Sequence, residues 1–107
     1  MKSQKLKSLQ DFLKRAEIIP ETLLFISKNT PSYEKVVDDF INIDFEIPFY
    51  ELNLSEHPNL ESELLRFFGH DDFPSLVYFR GKNIVNTQAR VKKGDELTEF
   101  IQVSKVI

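Results

Sequence analysis

Apolar residues recur along this chain with two different periods, and the switches between them mark its elements. Leu6, Leu9, Phe12, Leu13 and Ala16 fall at helical spacing, with Ser3 placed to cap the segment and Pro20 to end it. Thr22 to Ser27 then holds Leu-Leu-Phe-Ile without a polar break, which predicts a strand buried on both faces. After a polar corner, Tyr33, Val36, Val37, Phe40 and Ile41 return to helical spacing; Thr30 or Ser32 can cap this helix, and Pro31 suits its first turn. Pro48 to Leu54 (PFYELNL) alternates in part and predicts the next strand. Ser55 to Pro58 reads as a cap region, and Leu60, Leu64, Leu65, Phe67 and Phe68 mark a helix that Gly69 closes.

The last third changes period again. Ser75 to Phe79 (SLVYF) and Asn83 to Ala89 (NIVNTQA) are strand-like runs joined at Arg80-Gly81-Lys82, which predicts an antiparallel hairpin. Gly94 to Val103 puts Leu97, Phe100 and Ile101 on one helical face, with Asp95 near the positive end of the helix dipole. The expected order is α-β-α-β-α-β-β-α. No repeat, linker or low-complexity tract interrupts it, so residues 1–107 are expected to form a single domain.

Composition narrows the chemistry. The chain has 107 residues, 41% of them hydrophobic, enough to build one core without metal or disulfide support. It has no cysteine, so its own side chains supply no disulfide, no thiolate nucleophile and no sulfur ligand for a metal. The acidic residues cluster: Glu34 to Asp72 carries a net charge of −9, against +3 for each of Met1 to Glu17 and Phe73 to Ile107. An acidic solvated middle and the absence of clustered Lys and Arg argue against nucleic acid. No apolar run approaches the length that spans a bilayer, and no continuous apolar stretch follows the N-terminal lysines. No membrane association is expected, and a cytoplasmic location is the simplest expectation.

The segment FPSLVYFRGKNIV, Phe73 to Val85, resembles the stretch in which thioredoxins place a cis-proline before an apolar strand and a glycine turn. GDELTEFI resembles their closing helix. With the element order, the chain resembles the thioredoxin-like superfamily over nearly its whole length. That resemblance implies an α/β thioredoxin-like fold with a mixed four-stranded sheet flanked by helices. It makes Pro74 the cis-proline; a trans proline opening an edge strand is the alternative. It also puts Asn29, Thr30, Pro31 and Ser32 at the positions of the family's Cys-Gly-Pro-Cys. The proline is kept and both sulfurs are gone.

Other departures follow the same direction. Leu23 stands where active thioredoxins bury an aspartate, Lys28 where they carry a tryptophan, and Arg90 where a glycine flattens the substrate groove. Disulfide exchange needs a thiolate, which neither asparagine nor serine supplies. The expectation is a redox-inactive, non-catalytic member of the superfamily acting as a protein-binding, adaptor or assembly module, monomeric or weakly homodimeric. Its partner-binding face would be the degenerate active-site corner: Lys28, Asn29, Thr30, Pro31, Ser32, Phe73, Pro74, Ser75 and Arg90. Lys28, Arg90 and Lys92 would suit an extended acidic peptide. No cofactor is expected.

Alternatives draw on the same residues. A glutathione-transferase-like domain would use the Ser32 hydroxyl to stabilise a bound thiolate, with Asn86 and Thr87 near the thiol's carrier. A metal site from His57, His70, Asp71 and Asp72 has suitable ligand types without a recognisable spacing, so no metal is expected. As a nucleophile, Ser32 lacks a motif that places a base beside it; capping suits both Ser32 and Thr30. Asn29 is expected to support the corner by bonding its own backbone. Tyr33 and Phe73 would flank the corner as exposed anchors or lie in the core.

Overall fold

The structure is a computed structural model that describes residues 3–31, 33–43, 45–69, 73–89 and 94–107. Its elements in chain order are β1 (Gln4–Leu6), α1 (Leu9–Glu17), β2 (Thr22–Ser27), α2 (Tyr33–Ile41), β3 (Phe49–Asn53), α3 (Leu60–Phe68), β4 (Ser75–Arg80), β5 (Asn83–Ala89) and α4 (Gly94–Val106). The strands form one sheet in the order β1-β3-β2-β4-β5. β1, β3 and β2 run parallel, whereas β4 lies antiparallel to β2, and β5 to β4.

The sheet therefore has five strands where the hydrophobic pattern predicts four. The addition is β1, whose Gln4, Lys5 and Leu6 pair with Tyr50, Glu51 and Leu52 of β3. Three residues are too few to show a two-residue period, and Leu6 happens to continue the helical spacing of Leu9, Phe12 and Ala16. The break is made by Ser8, whose extended backbone and Oγ, accepting from the Asp11 N–H, start α1 two residues after the strand. Ser3 is thus not a helix cap.

Strand β2 is buried at every position, as its unbroken apolar run predicts. Its side chains alternate between two cores. Leu24 and Ile26 meet Phe12, Ala16, Leu60 and Leu64 of α1 and α3, together with Leu52, Val77 and Phe79. Leu23 and Phe25 meet Val36, Phe40, Leu97, Phe100 and Ile101 of α2 and α4, together with Phe49, Leu76 and Tyr78. In the first core Phe12 stacks edge-on against Phe79 at 4.8 Å; in the second Phe40 lies 4.7 Å from Phe49 and 4.9 Å from Phe25, centroid to centroid. Geometry of this kind adds about 0.5–1.5 kcal/mol per pair beyond area burial.

Two glycines end elements as their positions suggest. Gly69, at φ +78°, donates its N–H to the Leu65 carbonyl and closes α3. Gly81, at φ +60°, turns the β4–β5 hairpin. The Phe73–Pro74 peptide bond that enters β4 is cis.

Tyr78 is completely buried, and its hydroxyl makes no well-formed hydrogen bond among the described residues. Burial chiefly, with the Glu21 carboxylate assisting, raises its pKa well above the ordinary tyrosine value. The folded state thus holds this proton at a pH where the unfolded chain releases it, so its contribution is complete below about pH 10 and is lost as pH rises above that value. Chemical denaturation of the wild type between pH 9 and 11.5 is expected to show stability falling with pH. Tyr78→Phe should flatten that decline; an unchanged slope would remove Tyr78 as its source.

Candidate functional site

The polar corner lies where β2 hands the chain to α2, and hydrogen bonds to the start of the β3–α3 connection hold it. The Asn29 N–H donates to Ser55 Oγ at 2.9 Å, and Asn53 Nδ2 donates to Asn29 Oδ1 at 2.9 Å. Asn53 Oδ1 in turn accepts from the backbone N–H groups of Ser55 and Glu56 at 2.9 and 3.2 Å. Asn29 is therefore tied across the sheet, not to its own backbone. Asn53, on the neighbouring strand β3, does the local turn-building expected of Asn29. Within the corner, the Thr30 N–H reaches the Lys28 carbonyl at 2.8 Å and the Tyr33 N–H the Thr30 carbonyl at 3.0 Å.

Beneath the corner is a buried carboxylate that no sequence expectation assigned a part. Glu51, in the middle of β3, is 1% exposed. Its Oε2 accepts from Ser27 Oγ and from the Tyr33 hydroxyl, each at 2.6 Å, with Asn53 Nδ2 at 3.5 Å; its Oε1 accepts from Ser3 Oγ at 3.2 Å. These donors come from β2, α2, β3 and the segment before β1. Such an arrangement is what a buried charge demands, because a carboxylate out of water costs several kcal/mol unless its lone pairs are met. Burial, followed by the hydrogen bond to Glu51 and its charge, raises the Tyr33 pKa.

Two described lysines beside the corner are paired. Lys28 Nζ lies 3.2 Å from Glu61 and Lys5 Nζ 2.6 Å from Glu56, and the Glu56 hydrogen bond is the main cause of a raised Lys5 pKa. Above the corner is a shallow open groove of about 590 Å³, lined by Lys5, Asn29, Thr30, Pro31, Tyr33, Glu34 and Glu56. Its described rim carries more acid than base.

The remaining predicted residues separate. Lys28, Asn29, Thr30 and Pro31 are grouped at the corner. Ser75 is fully buried, and its Oγ has no hydrogen-bond partner among the described residues, so its side chain is a core group and not a contact. Phe73 is half-buried and packs against the first core, and Tyr33 packs against the second, so neither is a free anchor. Ser32, Arg90 and Lys92 lie outside the described residues, and of the three cations on which the expected acidic preference rests only Lys28 is described.

The same holds for the metal expectation, since His70, Asp71 and Asp72 also lie outside. Among the described residues no cluster of three or more His, Cys, Asp or Glu side chains is arranged to hold a metal. Asn86 donates to Ser104 Oγ at 3.2 Å and accepts from the Thr87 N–H, which ties it to α4. The residues missed by sequence reasoning are Glu51, Ser27, Asn53 and Ser3. One signal was present: in PFYELNL a lone acid stands mid-strand among apolar neighbours.

The fold is that of thioredoxin. A protein described by its thioredoxin fold superposes with a TM-score of 0.76 at 18% identity, over 96% of this chain and 93% of its own. A variant thioredoxin from Halobacterium salinarum gives 0.76 at 11% identity, over 96% and 90%. The thioredoxin from Trypanosoma brucei brucei gives 0.74 at 11%, over 98% and 92%. No family model and no curated protein matches the sequence. The fold with no cysteine fits a lack of disulfide oxidoreductase activity. No described helix is long and apolar enough to cross a membrane.

Two substitutions measure the polar lattice. Glu51→Ala should lower the unfolding free energy by about 3 kcal/mol, because it strands buried donors on Ser27 and Asn53. Asn29→Ala should cost about 1 kcal/mol, the net worth of one hydrogen bond. Urea denaturation followed by circular dichroism checks both, and equal small effects would show that Glu51 carries no special weight.

Proposed function

We propose that this chain is a non-catalytic thioredoxin-fold binding module of the cytoplasm, which holds an extended protein segment over its former active-site corner. The observation that carries this reading is the open groove above a corner that has lost both sulfurs and is held by Asn29, Asn53 and Ser55. A fixed surface loses little conformational entropy on binding, which favours recognition over turnover. The proton-accepting side chain that thiol exchange requires is also missing, since Leu23 is fully buried among apolar neighbours. Because Lys5 and Lys28 are engaged by Glu56 and Glu61, the described groove gives no reason to prefer an acidic partner, and shape and backbone pairing would dominate. No observation favours the glutathione-transferase-like reading, whose Asn86 is engaged with α4.

Peptides selected by display on the immobilised chain test this surface. Their binding is expected to fall at least about tenfold with Glu34→Trp, which obstructs the groove, and to survive Glu99→Trp on α4. Equal effects would place the contact elsewhere. Glu61 is unsuitable as the remote control, because it pairs with Lys28.

Thiol-dependent insulin reduction is expected to remain at background for the wild type. The double variant Asn29→Cys, Ser32→Cys should be a poor reductant, because Leu23 accepts no proton. Turnover near that of a thioredoxin in the double variant would show that the catalytic apparatus survives apart from its sulfurs.

A further inference from the structure

A second cavity, of about 330 Å³, lies between α2 and the sheet, separate in character from the groove over the corner. Phe25, Phe40 and Phe49 line its depth with Tyr33, and Glu51 and Ser3 supply its polar end. Val37 and the half-exposed Ile41 stand at the α2 side, with Lys5 among the lining residues. Its size falls at the lower end of small-molecule pockets, about 300–1,000 Å³.

The polar end has an unusual balance of charge. Glu51 is buried, and every hydrogen bond it accepts among the described residues comes from a neutral hydroxyl or amide. Lys5, which lines the cavity opposite Glu51 in the β1–β3 register and feels its charge, is held by Glu56 at 2.6 Å, and no described cation lies within ion-pair distance of Glu51. Buried charges in proteins are ordinarily paired. Among the described residues, two strong donors and one long contact reach Oε2, whereas Oε1 receives only the 3.2 Å bond from Ser3, which itself lines the cavity. A carboxylate has about four lone-pair sites, so capacity remains at the cavity end. Aromatic walls favour a cation as well as an apolar body, through the negative face of each ring.

We propose that this cavity is a binding site for a small organic amine, an ammonium head on a compact apolar or aromatic body. The head pairs with Glu51 Oε1 beside Ser3, and the body lies against Phe25, Phe40 and Phe49. An anion of the same shape is rejected by the Glu51 charge, and a neutral analogue forfeits the ion pair. Lys5 and Tyr33 line both this cavity and the peptide groove, but the amine's contacts with Glu51, Phe25, Phe40 and Phe49 involve no groove residue, so the amine test and the peptide test fail separately.

Calorimetric titration of the intact chain at pH 7 with phenethylamine, 2-phenylethanol and phenylacetate tests it. Phenethylamine is expected to bind saturably with a dissociation constant below about 1 mM, at least about tenfold tighter than the alcohol, and phenylacetate not at all. Val37→Trp, which fills the cavity from α2, should abolish amine binding, and Glu51→Gln should reduce it to the level of the alcohol. If Glu51→Gln fails to fold, the amine-to-alcohol ratio on the wild type makes the same test. Equal affinity for amine and alcohol, no saturable amine binding up to about 10 mM, or binding that survives Val37→Trp would each overturn the proposal.

Discussion

A carboxylate removed from water must find donors, and in this protein meeting that demand joins the parts that form the corner. Glu51 is carried by β3, yet the groups that satisfy it belong to β2 (Ser27), to the first residue of α2 (Tyr33) and to the segment before β1 (Ser3). Each of those elements also has apolar reasons to lie where it does. What the carboxylate adds is direction, because short hydrogen bonds at 2.6 Å fix the angle at which β2 passes into α2 more tightly than contact between Phe25 and Phe40 can. Asn53, one residue along the same face of β3, extends the lattice to Asn29 and through it to the corner's outer surface.

The same lattice explains how a thioredoxin fold remains ordered at this point without its sulfurs. Asn29 accepts from Asn53 through its side chain and donates to Ser55 through its backbone N–H, which ties the corner to the end of β3 and the turn after it. The chain shares this fold with proteins only 11–18% identical to it, which fits a scaffold set by β2 and the two cores on either side of it and not by the corner's chemistry. The described hydrogen bonds hold the corner between a groove and a cavity that ends on Glu51, and the chain has no cysteine to offer a redox cycle.

Much of the fold was legible because its signals are long. The unbroken run in β2, the helical spacing of α2 and α3, the closing Gly69 and the hairpin around Gly81 all extend over enough residues to show a period or a required backbone angle. β1 was not, because three residues show no period and Leu6 fell in step with the helix that follows. The corner was located correctly, since a proline and polar residues between a strand and a helix are a local signal. Its internal wiring was hidden: the partners of Asn29 are 24 and 26 residues away, and the Ser3, Ser27 and Tyr33 donors to Glu51 are 48, 24 and 18 residues away. Long-range polar pairing leaves no periodic trace. Glu51 was visible only as an acid out of place in an apolar strand, counted with an acidic surface to which it does not belong.

Glu51 couples the sheet to α2 through Tyr33, and a double-mutant cycle between Tyr33→Phe and Glu51→Leu measures that coupling directly. Unfolding free energies of the wild type, both single variants and the double variant should give an interaction energy of at least about 1 kcal/mol, since either single change leaves a polar group stranded that the double change removes. Additive effects, with an interaction energy within about 0.3 kcal/mol of zero, would contradict the account and leave the hydrophobic cores alone to orient the corner.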